Sequence, residues 1–120
     1  MAQTTPEGAL AAQDTISRIE GRIASDEALT PERKRELLSL LQTLKKEMAA
    51  LAETHHDDAR SIASYAEASV HEATRPEKNE ELLTHSLDGM ALSVRRFEVS
   101  HPGLVGVVNA IGQMLWKIGI

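Results

Sequence analysis

The stretch TPERKRELLSLLQTLKKEMAAL, Thr30 to Leu51, decides the fold. It opens with a hydroxyl that can cap free backbone N–H groups and a proline suited to the first helical position, and Glu32 sits near the positive end of the helix dipole. Leu37, Leu41, Leu44, Met48 and Leu51 then follow at steps of four, three, four and three. Residues so spaced share one side of a 3.6-residue helix, so the stretch reads as a heptad seam. Leu38 and Leu40 widen the stripe, which suits a bundle as well as a two-stranded coil.

Working outward, Thr54-His55-His56-Asp57-Asp58 is a run of poor helix formers, yet the seam resumes beyond it as Ala59, Ala63, Ala66, Val70 and Ala73. Steps of four from Leu51 through His55 to Ala59 join the two seams as a stutter, which relaxes a supercoil without breaking the helix. The expectation is one long central helix from Pro31 to Thr74, roughly 66 Å at about 1.5 Å per residue. The alternative is a break near His56 with Asp57 as the cap. Arg75-Pro76-Glu77 stops that rod and starts another. Leu83, Leu87, Met90, Val94 and Phe97 form its seam, mildly interrupted by Gly89, and it is expected to end near Val99. Ser100-His101-Pro102 reads as a structural turn in which Ser100 or His101 caps a last helix from Pro102 to Lys117, with Val99 stapled onto Leu104. Upstream, residues 1–5 read as a disordered N-terminus. Thr5-Pro6-Glu7 starts a first helix that runs to Ala24 and carries Leu10, Ile16, Ile19 and Ile23. The reading is all-α: a single domain over residues 6–120, an antiparallel bundle of three to four helices with a long central one, completed by dimerisation.

Composition agrees. Among 120 residues, 42% are hydrophobic but only 2% aromatic, so Leu, Ile, Val and Ala must fill the core. No segment alternates β-branched and polar residues as a half-buried strand does. The net charge of -5 repels phosphate backbones, which argues against nucleic acid as a partner. With no cysteine, disulfides and thiolate metal sites are excluded, which fits a cytoplasmic protein. The first 14 residues have no basic start and no apolar core of the kind a signal peptide needs. No stretch reaches the roughly 18–20 apolar residues that cross a bilayer.

The ending Phe97-Glu98-Val99-Ser100-His101-Pro102, with Leu104, Asn109, Ile111, Leu115 and Ile118-Gly119-Ile120, resembles a family of small bacterial helical proteins known only as a domain of unknown function. Its members close with an FE-x-SHP turn and a final GI. Leu10 to Ala24 and Leu29 to Leu51 resemble it more loosely. The chain departs from the family over His55 to Arg75, which looks like a variable linker there and reads as helix here. The resemblance implies a bacterial helical protein and carries no activity with it.

The chemistry candidates are few. His55, His56 and Asp58 are the densest cluster of potential metal ligands. Neighbours on a helix point about 100° apart, so four in a row cannot converge on one ion. The cluster also reads as a solvated, helix-weakening patch. Ser100 and His101 invite comparison with a nucleophile and its base, but no strained glycine-rich turn precedes the serine, and a capped corner explains them as well. From Pro102 to Trp116 the chain carries no charge. Leu104, Val107, Val108, Ile111, Leu115, Trp116 and Ile118 therefore read as an interface, with a bundle core or a membrane-surface face as the other readings. The mixed charge runs, such as Glu32 to Glu36, read as solvated helix surface. No phosphate loop and no HExxH is present. These observations point to a non-enzymatic bacterial protein without cofactors that acts through helix–helix self-association or partner binding, as a homodimer. A metal- or ligand-binding helical protein and a peripheral membrane protein are the alternatives.

Overall fold

The computed structural model describes residues 7–120, and expectations placed on residues 1–6, the disordered start and the Thr5-Pro6 cap, lie outside them. Five helices follow one another: α1 (Glu7–Ser25), α2 (Pro31–Ala52), α3 (His56–Thr74), α4 (Glu80–Val94) and α5 (Pro102–Gly119). A single 3-10 turn, Arg95–Phe97, extends α4. No strand occurs among the described residues.

The expected long central helix is two helices. The first ends at Ala52, and His55 turns the chain with φ -134° and ψ 56°. The His55 N–H still donates to Leu51 O at 2.8 Å, so the turn keeps its backbone bonded. Local chemistry favours the break. Asp57 and Asp58 sit in the first turn of α3, where the helix dipole stabilises acid groups. Packing completes the argument. The molecule is 46 Å along its longest axis, shorter than the unbroken rod needs, and folding back lets both seams face one core. The break falls near His56 as in the alternative reading, but the cap position is His55, and its side chain caps nothing. Among the described residues there are thus five helices, where the sequence pattern led to an expectation of three to four.

Side-chain pairs set the directions. Arg18 meets Glu67 and Arg22 meets His71, both partners advancing by four residues, so α1 and α3 run parallel. Lys45 pairs with Glu20 while Lys34 donates to Ala24 O, so α2 runs against α1. Gly112 lies against Leu87 and Met90, and Gly119 against Leu83, so α5 runs against α4. The chain goes up, down, up, down, up, and successive helices are antiparallel. Packing α3 against all four other helices puts it at the centre. Its seam explains that place: Ala59, Ala63, Ala66 and Ala73 are buried, and small side chains let neighbouring backbones come close.

Helix ends follow their capping chemistry. Thr30 Oγ1 accepts from Arg33 N–H at 3.2 Å at the start of α2. Asn79 Oδ1 accepts from Leu82 N–H at 3.0 Å, so α4 begins at Glu80 rather than at Pro76. Lys78 Nζ donates to Ala73 O at 2.7 Å and satisfies a carbonyl at the end of α3. At the last corner, α4 gives way to the 3-10 turn at Val94, five residues before the expected end. Val99 is 94% exposed, so the expected staple onto Leu104 is not formed. Neither Ser100 nor His101 caps α5 with its side chain. The Glu47 carboxylate of α2 instead lies over Gly103, near the positive end of the α5 dipole.

Candidate functional site

Two connections meet at one end of the bundle, and the sequence candidates meet with them. The turn between α2 and α3 carries His55, and the corner between α4 and α5 carries Phe97 and His101. The three rings pack edge to face. His55 lies 5.2 Å from Phe97 and 6.4 Å from His101, and Phe97 lies 5.6 Å from His101, centre to centre. The Arg96 guanidinium covers the Phe97 ring at 5.0 Å and also pairs with Asp58 of α3 at 3.3 Å. Phe97 is buried and both imidazoles are half-buried, while His56, Asp57, Ser100 and Pro102 face solvent.

The two histidine turns are built alike. Thr54 Oγ1 is 2.7 Å from His55 Nδ1, and Ser100 Oγ is 2.9 Å from His101 Nδ1. His101 has φ -137° and ψ 64°, close to the angles of His55. Each histidine N–H donates to the carbonyl four residues back, Leu51 at 2.8 Å and Phe97 at 2.7 Å. A hydroxyl–histidine pair therefore occurs twice as part of one turn geometry. That accounts for the Ser100–His101 bond without nucleophilic chemistry, because Thr54 and His55 make the same bond. Sequence reading treated the two clusters as separate. The signal that joins them is a register: Leu37, Leu41, Leu44, Met48 and Leu51 recur 46 residues on as Leu83, Leu87, Met90, Val94 and Phe97, and His55 recurs at the same offset as His101.

The metal candidates do not come together. His56 and Asp57 point to solvent, and the half-buried Asp58 is engaged by Arg96. Among the described residues no three His, Asp or Glu side chains are grouped so as to hold an ion.

The residues expected at an interface divide in two. Leu104, Val107, Val108, Ile111 and Leu115 are buried in the chain's own core, so those five present nothing to a partner. The correction has a simple cause: α2, α3 and α4 together cover the apolar face of α5. Ile118 is half-buried, and Trp116 is 36% exposed. The outer side of α5 borders a groove of about 740 Å³ shared with α2, lined by Glu32, Arg35, Glu36, Ser39 and Leu40 on one bank and Ala110, Gln113, Met114 and Lys117 on the other. Sequence reading had placed Glu32 to Glu36 on plain solvated surface. Only the pairing of α2 with α5 makes it a bank.

A family described as a domain of unknown function (DUF4404) matches residues 37–120. The chain belongs to this family. The DUF4404 match begins at the first seam residue of α2 and takes in both histidine turns and α5, but not α1. No curated protein and no solved structure matches the chain. No helix of this DUF4404 member, among the described residues, is long and apolar enough to cross a membrane.

Proposed function

We propose that this DUF4404 member is a non-enzymatic interaction protein of the bacterial cytoplasm that works by associating through its outer helix faces, first of all with a second copy of itself. The observation that carries the reading is the outer side of α5. This helix has no charged residue before Lys117, and the core takes only its inner stripe. Trp116 and Ile120 stay exposed on this helix, and a groove on its α2 side is floored by Leu40, Ala110 and Met114. An apolar floor rimmed by polar groups is the usual composition of a protein contact. The ring cluster has a structural reading in the same picture: it joins two connections and holds the ends of α2 to α5 in register.

Light scattering behind gel filtration tests the proposal. The expected result is a mass above that of one chain at micromolar concentration, falling toward the single chain when Leu40→Ser and Met114→Ser are combined while circular dichroism stays that of the native chain. A compact single chain at every concentration overturns it. A metal- or ligand-binding role has one observation in its favour, the approach of His55 and His101. Zinc titrated by calorimetry with no saturable heat ends that reading. The membrane-surface reading draws little support, since Lys117 is the sole basic residue of α5 and such helices carry several.

A further inference from the structure

The groove between α2 and α5 carries a charge pattern that its own chain does not use. Its banks hold two acids, Glu32 and Glu36, and two bases, Arg35 and Lys117. Among the described residues the ion pairs are Arg18–Glu67, Lys45–Glu20, Arg75–Glu72 and Arg96–Asp58, and none involves those four. The groove is therefore neutral in sum, and its charges are left for other partners. A partner of one strong sign would meet repulsion from half of them. A copy of the same face sets the acid-rich α2 bank, Glu32 and Glu36 beside Arg35, against a bank whose one charged lining residue is Lys117.

Direction decides how such a copy fits. Because α2 and α5 run antiparallel, the start of α2 and the end of α5 lie at one end of the molecule. The acids stand on the α2 bank there and Lys117 on the α5 bank. A two-fold axis running along the helices places the α2 of one copy opposite the α5 of the other, with both at the same height. It thus brings Lys117 of each copy to Glu32 and Glu36 of its partner. Two of the lining side chains are short, Ser39 on α2 and Ala110 on α5, next to the longer Leu40, Gln113 and Met114. Short side chains let the two layers approach closely enough to bury Leu40 and Met114. Every helix in the joined layers would have antiparallel neighbours, as within one chain.

We infer that the α2/α5 groove is the self-association face, occupied by the same groove of a second copy through a two-fold axis along the bundle, with Lys117 reading Glu32 and Glu36. This rests on the self-association proposed above and names its surface. The experiment is a charge exchange on the full chain. One variant carries Lys117→Glu, and the other carries Glu32→Lys with Glu36→Lys. Each alone turns attraction into like-charge repulsion across the axis and is expected to weaken self-association by about tenfold or more. Mixed in equal amounts, they are expected to restore pairing, now between unlike chains, because every acid again meets a base. Restored pairing also shows that both variants fold, and circular dichroism of each alone checks the same point. If the native chain associates and both folded variants associate equally well, this face is wrong and self-association stands. If the native chain does not associate at any concentration, both proposals fall together.

Discussion

Ser69 is the one buried polar side chain among the described residues, and its hydroxyl has no hydrogen-bond partner. Leaving such a group dry costs about 1–3 kcal/mol. Ser69→Ala is expected to raise stability by about 1 kcal/mol in urea unfolding, a result contrary to the usual direction of core changes. Gly119 is the reverse case. A Cβ there would strike the Leu83 side chain and stand 3.1 Å from the Ala73 backbone, which cannot swing aside. Gly119→Ala is expected to cost about 1–3 kcal/mol. Gly89 sits equally close to the ring of Tyr65, but that ring is already partly in solvent and can move outward. Gly89→Ala should therefore cost less than Gly119→Ala, and an equal loss in the two would contradict this account. The sequence marked Gly89 only as a flaw in the seam, because the need for a missing Cβ depends on which ring lies opposite.

Among the elements, α2 and α4 start on a side-chain cap and α5 does not. Thr30→Ala and Asn79→Ala are each expected to destabilise by about 0.5–2 kcal/mol, since each exposes an N–H that has a partner now. Ser100→Ala should change the melting temperature less than either, because Ser100 is exposed and bonds only to His101 Nδ1. This ordering, read by thermal unfolding, separates a true cap from a residue that merely precedes a helix. The element boundaries were legible where chemistry is local. Thr30-Pro31-Glu32 marked the start of α2 correctly, and Pro102 marked α5. They were missed where the deciding partner is distant or where two local signals compete. The steps of four through His55 promised a continuous rod, yet two aspartates favoured a new helix start and the fold had no place for the longer rod.

For the molecule as a whole, the two histidine turns act as a clasp at one end of the bundle. Each imidazole touches Phe97 and the other imidazole. His55→Ala and His101→Ala are expected to be non-additive, with a coupling of about 0.5–1.5 kcal/mol in a double-mutant cycle by chemical denaturation. Strict additivity would mean the rings are neighbours without being partners. The same scale separates what each source of information decided. The apolar seams determined an all-α chain, because a period near 3.5 makes amphipathic helices and no segment alternates as a strand that they could cover. They placed Ile16, Ile19, Ile23 and the seams of α2, α3 and α4 inside before any neighbour was known, although Leu87 is only half-buried and the buried Ile62 lay outside the seams. Which rod covers which seam was decided by the tertiary structure alone. The face of α5 read as open in the sequence and is closed by α2, α3 and α4, whereas Glu32 to Glu36, read as ordinary surface, became the bank of a groove. Periodicity records that a side needs a partner. The partner's identity depends on how the chain turns at His55 and His101, and there distant contacts outweigh local preference.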